Sequence, residues 1–177
     1  MTKNNEMNTT SKTTNKKLIK TTGTILVNKS VDSVFDFFAN PINDHLWRTE
    51  INKSNLNAEL QQGAKIYEYS YLSKKAPNNL IELKCLQYDK NKFAIFETLD
   101  NSQFYLRSER QVKAVSDNAT EIIYNLTFDL DLVKYALGFA LPKFIVSFKA
   151  ASDMKKYLRQ LKTKLEKIDK SPANKDT

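Results

Sequence analysis

The sequence predicts an α+β fold: one curved antiparallel sheet wrapped around a single long C-terminal helix, with two short helices after the first strand. Three observations carry this. Residues 51–130 alternate apolar and polar side chains between turn signals, the mark of strands with one covered and one wet face. Residues 141–168 set an apolar stripe against a Lys- and Arg-rich face, the mark of a long amphipathic helix. The stretch between first strand and meander, "NKSVDSVFDFFANPINDHLWR", contains two helix starts in succession.

The elements follow in order. "KLIKTTGTILVN" is rich in β-branched residues and reads as the first strand. Ser30 supplies an N-cap, and Asp32 places an anion in the first turn of the helix that follows. Val31, Val34, Phe35 and Phe38 fall at i, i+3, i+4 and i+7, on one face of that helix. Asn40 precedes Pro41 and so avoids the helical region, which stops the first helix. The same pair starts a second one, with Asn40 as cap and Pro41 at its first position, ending near Trp47.

In "KIYEYSYL", Tyr67, Tyr69 and Tyr71 share one face and Glu68 and Ser70 the other. The sequence leaves open which face is covered. Ile81, Leu83 and Cys85 share a face of "LIELKCLQY". The turns "DKNK", "DNSQ" and "SDNAT" lead into "FAIFETL", "FYLRSERQVKAV" and "EIIYNLTFDLDL". Short turns between strands make an antiparallel meander. Leu141, Phe144, Ile145, Phe148, Ala151, Leu158, Leu161, Leu165 and Ile168 form the stripe of the closing helix, with Gly138 and Pro142 breaking or kinking its beginning.

A chain of 177 residues suits one domain with one core. The expected boundaries are a disordered polar tail over 1–16, a domain over 17–169 and a second disordered tail over 170–177, both tails being too polar to offset the entropy of ordering. The net charge of +8 is uneven: +4 in residues 1–20, −2 in 21–142 and +6 in 143–177. Clustered Arg and exposed basic–aromatic interleaving are missing, so a nucleic-acid partner is not expected. A transient contact between the basic final helix and an anionic membrane is one reading of that charge; a solvated, solubilising face is the other. Cys85 is the one cysteine, which rules out an internal disulfide and fits a small buried apolar residue. No apolar run has the roughly 20 residues needed to span a bilayer, and the N-terminus has no apolar core of a secretory signal. A cytoplasmic protein is expected.

A strongly twisted sheet curling around one helix does not close tightly at both ends. The gap is expected beside the two short helices, where Phe35, Phe38 and Trp47 would line or cap an apolar cavity. No nucleophile motif, Gly-rich phosphate loop or metal-ligand spacing is present, and no cofactor or metal is expected. His45, the one histidine, has Asp44 beside it, but adjacent helical residues point in different directions. Its simpler reading is an exposed or cavity-mouth imidazole. The alternation of "FYLRSERQV" puts Arg107 and Glu109 on the less apolar face and Arg110 on the apolar one.

The order and spacing of "ILVNKSVDSVFDFFANPINDHLWR", "AIFET" followed by "FYLRSERQV", "NATEIIYNLTFDL" and "YLRQLKTKLEK" resemble the START-like superfamily, in particular its polyketide cyclase/dehydrase and lipid-transport group. The resemblance covers about residues 18–168. One departure is Ala119-Thr120, where that group usually has Gly-Thr. The resemblance implies a helix-grip fold with an internal cavity for a small hydrophobic or amphipathic, lipid- or polyketide-like ligand. Phe35, Phe38, Trp47, Tyr69, Phe96, Phe104, Arg110, Tyr124, Phe128, Phe144 and Phe148 are the candidates to line it. The alternative is a cyclase/dehydratase without metal or nucleotide cofactor, moving protons with Arg110, Tyr124 or His45.

Overall fold

The structure is a computed structural model that describes residues 17–167. The two predicted tails and Ile168 lie outside the described residues. Seven strands form one antiparallel sheet in the order β1-β7-β6-β5-β4-β3-β2: β1 Leu18–Val27, β2 Ile51–Leu56, β3 Lys65–Ser70, β4 Asn79–Asp89, β5 Phe93–Thr98, β6 Leu106–Ser116 and β7 Ala119–Asp129. Only β1 is out of sequence order, pairing with β7 along its whole length. Register shifts at Ile51/Lys53, Cys85/Gln87 and Ala114/Ser116 mark bulges. Bulges increase twist locally, which helps this sheet curl into a half-barrel.

Helix α1 spans Val31–Phe38 and buries Val34, Phe35 and Phe38, the face that the spacing of those residues dictates. Ser30 occupies the cap position, but its hydroxyl donates to Ser33 Oγ and accepts from no backbone N–H. A 3-10 helix over Pro41–Leu46 follows, with Asn40 Oδ1 accepting from the Ile42 N–H at 3.1 Å. Asn91 is the one non-Gly residue at positive φ among the described residues, so Ala119 needs no glycine-like freedom. Thr120 behind it donates to the Lys29 carbonyl at 2.8 Å and ties the β6–β7 hairpin to the chain entering α1.

Helix α2, Leu130–Leu137, lies where the alternation predicts the end of a strand followed by a break. The Asp129 side chain caps it by accepting from the Asp131 N–H, and Gly138 ends it at φ 80°. Left-handed backbone of this kind favours glycine. Helix α3, Lys143–Lys167, lies across the concave face of the sheet. Its buried seam is Val146, Met154, Leu158, Leu161 and Leu165. No helix among the described residues is long and apolar enough to cross a membrane.

Candidate functional site

The C-terminal half of α3 sits tight on β1 because Gly23 has no side chain. A Cβ there would fall 2.5 Å from Leu158 Cδ1 and 2.6 Å from Met154 Cγ. Toward the N-terminus of α3 a cavity of about 560 Å³ separates helix from sheet. The sheet contributes Ile81, Leu106, Leu126 and Phe128 to its wall. Leu132, Val133, Ala136 and Leu137 of α2 close one side, and Ile145, Val146, Ala150 and Met154 of α3 another. The polar lining is Thr21, Arg48, Glu50, Glu68, Ser70, Lys149, Asp153 and Tyr157.

The polar side chains are held by a buried ion network. Asp44, fully buried, accepts from Arg110 Nη1 at 2.8 Å and Nη2 at 2.6 Å, and from Arg48 Nη1 at 3.2 Å. Arg48 Nη1 also reaches Glu68 Oε2 at 3.0 Å, and Arg48 Nε donates to Glu50 Oε1 at 2.9 Å. Arg110 further donates to the Phe38 carbonyl and to Ser108 Oγ. Burial opposes the Arg48 charge, but the neighbouring carboxylates, Glu68 foremost, override it and raise its pKa. Burial pushes the Glu68 carboxyl above its usual range, with Arg48 pulling the other way. Tyr157, between Glu50 and Trp47, is raised mainly by burial and then by the Glu50 charge.

Behind this network is an aromatic plug. Phe38, Trp47 and Tyr124 meet one another at centroid distances of 5.7–5.8 Å. The Arg110 guanidinium lies 5.2–5.9 Å from the rings of Phe38, Trp47, Phe96 and Tyr124. The Tyr124 hydroxyl is buried near Ser108 without meeting hydrogen-bond geometry.

This placement corrects several expectations. Beside the two short helices lies a separate pocket of about 390 Å³ lined by Phe35, Ala39, Ile42, Leu56, Leu60 and Tyr88, while the cavity under α3 opens at the α2 end. Phe38, Trp47, Phe96, Tyr124 and Arg110 are buried core that does not border the cavity under α3, because the plug fills that end of the half-barrel, and Phe35 lines the separate pocket beside the short helices. Tyr69 and its neighbour Tyr67 stand on the outer face of β3, and the Lys53 ammonium lies 4.7 Å from the Tyr69 ring centroid. Phe104 packs on Tyr135 outside the cavity. Phe144 and Phe148 are 73% and 81% exposed. An α-helix drifts about 20° per seven residues, so the 7-residue steps linking Phe144 to Ala151, Leu158 and Leu165 leave the buried seam. Phe128 alone among the predicted lining residues borders the cavity.

His45 is exposed, its Nδ1 2.8 Å from the Ile42 carbonyl. Arg107 pairs on the outer face with Glu97 at 2.7 Å and Glu109 at 2.6 Å. In the sequence, Asp44 is named only as the neighbour of His45, and Arg48, Glu50 and Tyr157 are not singled out. The i, i+4 spacing of Asp44 and Arg48 was the available signal, as was Glu68 opposite the tyrosine face. Among the described residues no group of His, Cys, Asp and Glu side chains could hold a metal ion.

No family model and no curated relative matches the sequence. Solved structures do. A START superfamily protein from Mycobacterium smegmatis aligns at TM-score 0.67 and 11% identity, covering 84% of this chain and 98% of that one. The Zhui aromatase/cyclase from Streptomyces aligns at TM-score 0.66 and 12% identity, covering 88% and 98%. A Staphylococcus aureus protein of unknown function aligns at TM-score 0.67 and 9% identity, covering 89% and 99%. Near-complete coverage in both directions, with the curled sheet and closing helix seen here, gives this chain the START-like helix-grip fold.

Proposed function

We propose that the protein binds a small hydrophobic or amphipathic molecule in the cavity between α2, α3 and the sheet, and sequesters or carries it in the cytoplasm. The observation that carries this is the cavity itself. Its volume of about 560 Å³ lies in the range of roughly 300–1,000 Å³ typical of small-molecule sites. Its walls are mostly aliphatic, and its polar groups gather toward Arg48, Glu50 and Glu68. Transfer of apolar ligand surface out of water, at roughly 25 cal/mol per Å², supplies the affinity.

The test is titration with the apolar fluorophore N-phenyl-naphthylamine. Saturable binding is expected, and Ala150→Trp, which fills the cavity, weakens it by about tenfold or more, or about 1.4 kcal/mol. Equal binding by a folded Ala150→Trp protein removes the cavity as the site.

The START-like neighbours include an aromatase/cyclase, but the enzymatic reading has little support in this chain's side chains. Arg110 and Tyr124 lie behind the cavity wall, and the His45 imidazole is on the surface. We further propose that ligand exchange takes place at an anionic membrane. Phe139, Phe144 and Phe148 are exposed along the α2–α3 connection and the start of α3, with Lys143 and Lys149 among them. Apolar side chains that insert, flanked by cations, fit such a surface. Phosphatidylserine-containing vesicles should retain the wild type at low salt and release the Phe144→Ser/Phe148→Ser double variant. Failure of the wild type to bind disposes of the membrane partner and leaves the cavity reading intact.

A further inference from the structure

Resting on the cavity reading above, we infer that the ligand's polar end is an uncharged hydroxyl, received by Glu50 and Thr21, and not an anionic head group.

The buried cation that borders the cavity, Arg48, is already engaged. Arg48 is shared among Asp44, Glu50 and Glu68, and Arg110 behind it spends both terminal nitrogens on Asp44. Lys149, 71% exposed at its side chain, pairs with Asp153 in water, apart from the buried network that receives the ligand's polar end. Three carboxylates, of Asp44, Glu50 and Glu68, surround the two guanidinium groups, so no positive charge is left over for a carboxylate or phosphate. An incoming anion would have to displace one of these carboxylates; Asp44 and Glu68 are buried, and stranding either comes at large cost, while Glu50 is partly exposed and already paired with Arg48.

Two polar atoms of the lining have no partner. Glu50 Oε1 takes Arg48, while Glu50 Oε2 is buried and meets no donor in hydrogen-bond geometry, although the Tyr157 hydroxyl lies near that carboxylate. Thr21 is 8% exposed, its Oγ1 likewise unpartnered, and it stands on the sheet wall of the same cavity. A carboxylate oxygen only accepts, and a threonine hydroxyl either accepts or donates. Glu50 Oε2 is completed only by a donor and Thr21 Oγ1 by either a donor or an acceptor; in an apolar cavity an alcohol or phenol suits each of them without bringing a charge. Buried polar groups left unmatched are costly, so a ligand that satisfies them gains over one that does not.

The experiment compares three probes of matched chain on the wild-type protein at neutral pH by isothermal titration calorimetry: dodecanol, methyl dodecanoate, which has no donor, and dodecanoate. Dodecanol is expected to bind about tenfold or more tighter than either of the others. Glu50→Gln and Thr21→Val should each narrow the gap between dodecanol and the ester without weakening the ester. The Thr21→Val comparison leaves the ion network untouched and stands alone if Glu50→Gln fails to fold. Tightest binding by dodecanoate, or equal binding of alcohol and ester, overturns the hydroxyl inference while the cavity reading survives. Binding of none of the three overturns both.

Discussion

Asp44 is the residue on which the inner end of the cavity depends. It holds Arg110 with two short contacts and also accepts from Arg48, all out of water. A buried ion group contributes modestly to stability as a set, but removing one member leaves the others uncompensated, at a cost of about 3–5 kcal/mol. Asp44→Asn should therefore lower unfolding free energy in urea by about that amount; a loss below about 1 kcal/mol would show that the network behaves as a solvated one. Glu68 gives the network a pH dependence with a definite sign. Burial raises its pKa in the folded chain above the ordinary carboxylate value, so the folded state holds the proton more tightly. The contribution of Glu68 to stability is then greatest when it is protonated, and it declines as pH rises through the interval between the unfolded and folded values. In a pH series of urea melts, wild type should lose stability relative to Glu68→Gln on going from acid to neutral pH. A relative gain would mean that Arg48 dominates. The charged residues were the hardest part of the site to see in the sequence. Asp and Arg are almost never fully buried unless paired, and the pairing of Asp44 with Arg110 joins residues far apart in the chain.

The long helix shows how far periodicity carries at the level of elements. Its existence and amphipathic character were legible, and so was the α1 face of Val34, Phe35 and Phe38. Its phase near the N-terminus was not. The buried seam there passes through Val146 and Met154, with small Ala150 between, while the larger Phe144 and Phe148 point to solvent. Helix α2 was overlooked because the alternation of β7 runs on into Leu130. Its Asp129 cap and Gly138 terminator were the usable signals. Gly23 is the element-scale feature that no local pattern singles out. Glycine inside a strand ordinarily weakens it, so Ala would be an improvement on local grounds. Here an added methyl would overlap Leu158 and Met154, both buried between helix and sheet. Gly23→Ala should destabilise by about 1–3 kcal/mol, the cost of overpacking, in thermal or urea melts. Unchanged or increased stability would mean that α3 is free to ride up from β1.

Across the whole molecule, the aromatic plug and the cavity divide the concave face of the sheet between them. The short helices, Trp47 and Tyr124 fill one part with close packing, and the α2 end stays hollow between Leu132, Ala136, Val146 and Ala150 of the helices and Ile81, Leu106 and Leu126 of the sheet. The general architecture was legible from the order of elements; the location of the hollow was not, because it depends on which rings meet Arg110 across the sheet. The central claim is that this hollow exists to be occupied. Native mass spectrometry of the protein purified from its own host tests it most directly. The account predicts a species heavier than the bare chain by one small apolar molecule, present in wild type and absent from Ala150→Trp. A wild-type protein that shows only its bare mass, and that binds neither dodecanol nor N-phenyl-naphthylamine saturably, would contradict it.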